Sequence, residues 1–287
     1  MIIRITSIIF FCLCWVCTSQ NSSFCTELGA INKMVKESHY QPKSLNDSLS
    51  KSVFSLFLNE IDDNKRFFTQ EDVNAFKKDK YQLDDYIINK NCAFITKYSK
   101  ILEKRISNSK LILETLRDQL LDYSGKDSIY YKADKDFSYF KNEEKIRSYW
   151  NKKIRYKILR KLVENDTILQ NIKLNFKVLE KELKNKIIDN EICLLNELEQ
   201  SEGSITQLIE VAFLDAFLKY QDPNSAYFSA SDKNLFEQSV TNSQLSFGIS
   251  TEKKKNGDII IANIAPGSSA FRQGDFEVND VILSLES

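Results

Sequence analysis

Few side chains in this sequence could perform acid–base or nucleophilic chemistry. Its 287 residues contain one histidine, His39, so a Ser-His-Asp or Cys-His centre would depend on that residue. His39 lies in the polar segment SHYQP (38–42), which favours a structural role at the surface. The three cysteines after residue 19 are too widely spaced to form a metal site. We therefore predict no catalytic residue, no metal ligand and no cofactor.

Residues 1–19 have the pattern of a Sec signal peptide. Arg4 precedes an apolar run over residues 8–16 that is too short for a stable membrane anchor, and Cys17 and Ser19 are small residues suited to cleavage before Gln20. The alternative is a lipoprotein signal that ends at Cys17, although Val16 is bulky for such a site. The pattern predicts export to the periplasm, with membrane association left open.

Three cysteines remain after the signal peptide: Cys25, Cys92 and Cys193. Their wide spacing excludes a dense disulfide framework. Buried thiols are the favoured interpretation, and a single disulfide in an oxidising compartment is the alternative.

The overall charge excludes a strong general attraction to nucleic acid. Lys+Arg and Asp+Glu both number 40, which gives a formal net charge of zero. The hydrophobic content of 42% is enough for a folded core, and the length suggests two domains.

A long helical region must come first, because no proline occurs between Lys43 and Asp222. Capping patterns at 44–47, 69–72 and 204–207 mark helix starts, and the apolar spacing predicts longer helices over about 83–121, 143–163 and 166–198. Within the last of these, apolar residues step by three and four, which predicts an intramolecular helical hairpin. This apolar stripe comprises Leu169, Ile172, Phe176, Leu179 and Leu183.

The backbone pattern changes between residues 214 and 248. Glycines become frequent, and β-prone runs at about 245–251 and 259–264 flank an Asn-Gly turn at 256–257, which predicts a β-hairpin. A short helix through Phe271 and a strand at 281–285 should follow.

Four motifs in this order resemble bacterial carboxy-terminal processing proteases, and the first of them, at 39–43 and 61–68, resembles the tail-specific branch. They are HYQPK (39–43) with IDDNKRFF (61–68), DPNSAYF (222–228), SFGI (246–249), and PGSSA (266–270) with NDVI (279–282). The resemblance implies a mainly α N-terminal helical domain (20–220), a linker (221–243) and a truncated α+β PDZ-like domain (244–287). It departs from the family at Ser246 and Asn224, where a glycine and a histidine are usual.

The same resemblance implies that Ser246, Phe247, Gly248 and Ile249 bind the C-terminus of a peptide. In a PDZ domain the peptide adds to a sheet edge, and backbone N–H groups before that strand receive its carboxylate. Small residues at 246 and 248 would allow the close approach, and Phe247 and Ile249 could line the apolar pocket. The alternative is that Phe247 and Ile249 are ordinary strand-core residues.

The expected function is the substrate-recognising N-terminal part of a periplasmic tail-specific serine endopeptidase. The resemblance places the family's Ser-Lys dyad in a core after the PDZ domain, so we expect this chain to be inactive alone. Its expected partners are proteins with free apolar C-termini, and a periplasmic adaptor and peripheral membrane contact stay open. The alternatives are a non-enzymatic PDZ-like adaptor and a purely structural helical protein.

Overall fold

The computed structural model describes residues 23–129, 138–200, 204–229, 233, 236, 247–254 and 258–284, so the predicted signal peptide lies outside it. Most of the described chain is helical and a small antiparallel sheet follows, which confirms the predicted order of a helical and an α+β part. No helix of these ranges has the length and apolar content needed to span a bilayer. The helices of the first part are α1 Ser23–Ser38, α2 Asp47–Ile61, α3 Gln70–Phe76, α4 Leu83–Ile88, α5 Ala93–Arg117, α6 Glu143–Asn165, α7 Leu169–Gln200 and α8 Ile205–Gln221.

Side-chain caps set where several of these helices begin. The Asn46 side chain accepts a backbone hydrogen bond in the first turn of α2. Thr69 and Asp72 form the reciprocal capping box that the sequence predicts for α3. Asn142 and Ser204 cap α6 and α8 in the same way as Asn46. The caps at Thr69 and Ser204 are the predicted ones, because each involves residues only three positions apart, whereas the pattern at 44–47 places the cap of α2 two residues before Asn46.

The prediction of one continuous helix over 83–121 is wrong. The chain instead forms α4 and α5, separated by residues 89–92. Lys90 has a φ of 50°, a left-handed conformation that a right-handed helix does not contain. Asn91 then accepts a hydrogen bond from the backbone N–H of Ala93 (3.2 Å) at the start of α5. The apolar spacing persists through this break, which is why periodicity alone did not locate it.

A disulfide joins Cys25 in α1 to Cys92 at the start of α5, with their Cα atoms 5.8 Å apart. The prediction of buried thiols is therefore wrong for these two residues, and the alternative of a single disulfide is correct. The bond links positions 67 residues apart, so it restricts the unfolded chain and contributes about 2–4 kcal/mol of stability. Cys193 is also not a buried thiol, because it is free and exposed on α7.

Aromatic side chains from several helices fill the core. Phe57 of α2 meets Phe213 of α8 edge to face, with 5.3 Å between ring centroids. Tyr98 of α5 stacks on Phe76 of α3 at 4.0 Å. Such ring pairs stabilise a core beyond the apolar area that they bury. They anchor α3, α5 and the extensively packed pair α2 and α8 in one core.

The predicted helical hairpin of α6 and α7 is confirmed, since α7 packs along α6 and also along α5. The predicted apolar stripe is only partly buried, because Ile172 is covered whereas Leu169 is exposed. Burial is more complete further along α7, at Ile187, Ile188 and Leu195.

The second part begins with the predicted antiparallel pair, β1 Ile249–Lys253 and β2 Ile259–Ile264. The bounds of β2 are as predicted, whereas β1 begins and ends later than the predicted 245–251. The helix α9 Ser269–Gln273 follows, and Gly274 ends it in the left-handed conformation. The strand predicted at 281–285 is wrong over the described residues 281–284, where Val281 makes one isolated bridge to Ile260. Leu283 is almost fully exposed, so no packing surface holds an extended strand there. The predicted Asn-Gly turn at 256–257 lies outside the described residues.

Candidate peptide-binding loop

The predicted binding loop consists of Ser246, Phe247, Gly248 and Ile249, and the structure describes the last three. Ser246 lies outside the described residues. The side chain of Phe247 is 78% exposed, whereas Ile249 is half-buried and begins β1. The loop therefore presents an apolar side chain to solvent directly before the first strand.

Gly248 is required by the geometry of this loop. Its φ is +78°, in the region that only glycine occupies readily. A Cβ atom at this position would lie 2.0 Å from Cβ of Ser268 and 2.4 Å from its Oγ. The absence of a side chain thus lets the loop backbone touch the turn that precedes α9.

The PGSSA motif (266–270) and the residue before it hold the loop through backbone hydrogen bonds. The backbone N–H of Ala265, next to this motif, donates to the carbonyl oxygen of Gly248 (2.7 Å), and that of Ala270 donates to the carbonyl oxygen of Phe247 (3.0 Å). Ser268 caps α9 by accepting a hydrogen bond from the N–H of Phe271 (3.2 Å). Two motifs that are separated in sequence therefore form one unit, in which the two loop carbonyls face the protein.

One edge of β1 has no strand beside it within the described ranges. The other edge pairs with β2, and β2 is bonded on its far side to residues 279–282, as in the hydrogen bond from the N–H of Ile282 to the carbonyl of Ile259 (2.8 Å). The order across this part is thus β1, β2 and the segment 279–282. An extended peptide could add to the outer edge of β1, immediately after the loop.

The DPNSAYF motif (222–228) has a structural role at the end of α8. Asp222 Oδ1 accepts a hydrogen bond from the N–H of Asn224 (3.0 Å), which forms a turn after the helix. The N–H of Tyr227 donates to Asp215 in α8 (2.7 Å), and its hydroxyl donates to Glu27 in α1 (2.6 Å). The first part of the predicted linker is therefore docked on the helical domain.

The IDDNKRFF motif (61–68) is organised by Asp62, which is buried after α2. Its carboxylate accepts hydrogen bonds from the backbone N–H groups of Arg66, Phe67 and Phe68 at 2.8, 3.0 and 2.9 Å. Burial nevertheless raises the pKa of Asp62. The motif is thus a self-bonded loop that directs the chain from α2 into α3.

His39 lies in a turn, where its Nδ1 accepts a hydrogen bond from the N–H of Gln41 (3.1 Å). Among the residues that the structure describes, no group of three or more histidine, cysteine or acidic side chains could hold a metal ion.

A buried ion pair between α6 and α7 was not foreseen from the sequence. Glu191 accepts hydrogen bonds from Lys153 (2.8 Å) and from Lys157. Burial opposes ionisation of Glu191, but the two lysines hold its pKa below its usual value. Burial also lowers the pKa of Lys153 in spite of the facing carboxylate. Only the register of the two helices shows that these charges meet, since the residues lie more than 30 positions apart, with Lys153 and Glu191 separated by 38.

The helical part carries the match that decides the family. The family description "Tail specific protease N-terminal domain" matches residues 31–231, from α1 to the docked segment after α8. This chain belongs to the tail-specific protease family. The prediction made from the four motifs is thereby confirmed at the level of the family.

A tail-specific protease of Haemophilus influenzae is one similar protein. It is 24% identical to this chain over 269 residues, which covers 93% of this chain and 36% of the relative. The chain thus spans about a third of the length of this curated tail-specific protease, and the similarity continues beyond the helical domain into the hairpin region.

Proposed function

We propose that this chain forms the N-terminal, substrate-recognising portion of a periplasmic tail-specific serine endopeptidase. On this proposal the loop 246–249 and the outer edge of β1 bind the C-terminus of a protein substrate. A Ser-Lys pair carried elsewhere in the enzyme cleaves the bound chain. The observation that supports the proposal most directly is the contact of Gly248 with Ser268, because it fixes the loop against the start of α9.

The geometry of the loop suits a terminal carboxylate. The carbonyl oxygens of Phe247 and Gly248 accept hydrogen bonds from within the protein, so they do not face an incoming anion. The substrate backbone would extend β1 at its outer edge, and its last apolar side chain would contact Phe247 and Ile249. Main-chain hydrogen bonds would let the edge of β1 bind any extended chain. The requirement for a terminal carboxylate restricts this binding to chain ends.

The role of the substrate carboxylate can be tested with two labelled peptides that end in small apolar residues. One has a free acid at its C-terminus and the other an amide. We expect the amide to bind the 287-residue chain about tenfold to a hundredfold more weakly, because it loses charge-assisted hydrogen bonds. Fluorescence anisotropy measures both affinities.

The variant Phe247→Ala should weaken binding of the free acid, and Phe276→Ala is its matched control because Phe276 is also exposed but lies outside the loop. Equal affinities for the acid and the amide would remove the carboxylate from the proposed function. If Phe247→Ala and Phe276→Ala weaken binding equally, the binding site does not lie in the loop.

Export to the periplasm is the second element of the proposal. The disulfide between Cys25 and Cys92 supports it, because structural disulfides form in oxidising compartments such as the periplasm. We expect the exported protein to begin at Gln20 and to carry this disulfide, with Cys193 still reactive toward a thiol reagent. N-terminal sequencing and thiol labelling of the periplasmic fraction measure both features. A protein that retains Met1, or that has three reactive thiols after residue 20, would contradict export.

A further inference from the structure

A groove of about 540 Å³ lies where α6 and α7 meet the loop between α2 and α3. Its volume is in the range of sites that bind ligands. It lies in the helical domain and includes no residue of the candidate peptide-binding loop. Its charged lining consists of Arg66, Lys153, Lys157, Glu191 and Glu197, and Trp150 with three leucines of α7 forms its apolar part.

Three cations and two carboxylates line this groove. Lys153 and Lys157 share one carboxylate, that of Glu191. Arg66 adds a third cation, which forms no ion pair with the described residues. Arg66 also attracts the buried carboxylate of Asp62, which is already bonded to backbone N–H groups. Among these lining cations, Arg66 is the one without a paired carboxylate, so an anionic group is attracted to it more than to the two lysines.

The rest of the groove is apolar. Leu194 is 52% exposed, and Leu195 is buried beside it on α7. Trp150 forms part of the wall, with Nζ of Lys153 at 4.5 Å from its ring centroid. The indole N–H of Trp150 is buried and finds no acceptor among the described residues. The groove thus combines an apolar surface with a cationic group, which suits a ligand that carries both apolar side chains and a carboxylate.

We propose that this groove binds an acidic, leucine-rich segment of a partner polypeptide, with its carboxylate at Arg66 and an apolar side chain on the exposed Leu194. A polypeptide fits better than a nucleic acid, because a phosphate backbone needs a row of cations and gains nothing from exposed leucine. The segment requires no free C-terminus, so this site is separate from the proposed recognition of substrate ends.

The test uses a labelled peptide with a blocked N-terminus and an amidated C-terminus, in which glutamates alternate with leucines. A second peptide carries glutamine in place of each glutamate. We expect saturable binding of the acidic peptide to the 287-residue chain and binding at least about tenfold weaker for the glutamine peptide. Trp150 reports the same event by its fluorescence when the chain carries Trp15→Phe, since these are the two tryptophans of the sequence.

Two variants test the site itself. Arg66→Gln should weaken binding of the acidic peptide about tenfold. Leu194→Glu should weaken it to the same extent, because it adds an anion and removes apolar surface. The matched controls are Arg272→Gln in α9 and Leu174→Glu, an exposed residue of α7 that does not line the groove. Thermal melts of all four variants verify that the fold is retained.

The proposal is overturned if the acidic and glutamine peptides bind equally, or if neither binds at low ionic strength. It is also overturned if both site variants bind like their controls. If the fluorescence of Trp150 changes with protein concentration in the absence of peptide, the groove binds a second copy of the chain instead. Because both peptides have amidated ends, a failure here is independent of the proposed recognition of C-termini.

Discussion

Replacing Glu191 by methionine is expected to lower the free energy of unfolding by about 3–5 kcal/mol, because it leaves Lys153 buried without its counter-ion. The side chain of Lys153 is 9% exposed and that of Glu191 is 3% exposed, so the remaining ammonium has little contact with water. Lys157 is less affected, since its more exposed side chain can turn toward solvent. Urea unfolding followed by circular dichroism measures the change.

Two further variants make this experiment specific to the buried pair. Glu199 lies on α7 like Glu191, and Glu199→Met removes its partially exposed ion pair with Lys110 of α5, which should cost no more than about 1 kcal/mol. The double variant Lys153→Met with Glu191→Met should recover much of the lost stability, because two apolar side chains of similar size do not leave a buried charge. If the double variant is as unstable as Glu191→Met, the ion pair is not the cause.

The carboxylate of Glu191 also makes the loss of stability in Glu191→Met depend on pH. The folded-state pKa of Glu191 lies below the ordinary value of 4.5, so its ionised form stabilises the fold fully above pH 4.5. This contribution is lost as the pH falls through the lowered pKa. The difference in unfolding free energy between the natural chain and Glu191→Met should therefore shrink in acid.

Replacing Gly248 by alanine is expected to abolish measurable binding of a peptide with a free apolar C-terminus. The added Cβ atom would lie 2.0 Å from Cβ of Ser268, so the loop must move, and a φ of +78° disfavours any residue with a side chain. Anisotropy with the free-acid peptide measures the loss. Helical circular dichroism should melt as in the natural chain, because no residue after Tyr227 contributes to the described helical core.

The matched control is Gly267→Ala. Gly267 has the same φ of +78°, but an added Cβ atom meets nothing within 4 Å, so this variant carries the conformational cost of about 1–2 kcal/mol without the collision. Adding Ser268→Gly to Gly248→Ala removes the obstructing atoms and should restore part of the binding. Equal affinities of Gly248→Ala and Gly267→Ala would show that close contact with Ser268 is unimportant for recognition.

The features that the sequence predicted well depend on residues that are close together along the chain. The capping box of Thr69 and Asp72, the cap at Ser204 and the β-prone runs that became β1 and β2 each involve a few neighbouring positions. The order of the motifs predicted the family for the same reason, since each motif is a short local pattern.

The incorrect predictions concern features that depend on contacts between residues far apart in the sequence. The break between α4 and α5 lies next to Cys92, whose partner Cys25 is 67 residues away, and the apolar spacing on both sides continues as if no break existed. The segment at 281–284 has suitable β-forming residues and bonds to β2 through the N–H of Ile282, but only Val281 forms a β-bridge and Leu283 is exposed.

The sequence by itself determined the helical character of the first part, the hairpin of the second and the membership of the tail-specific protease family, because these follow from local residue preferences and short motifs. Only the tertiary structure decided that Cys25 pairs with Cys92, that Gly248 packs against Ser268, and that Arg66 lies in one groove with the ion pair of Lys153 and Glu191. The physical reason is that covalent pairing, steric contact and charge neutralisation depend on distances in space, which residue spacing along a chain does not specify.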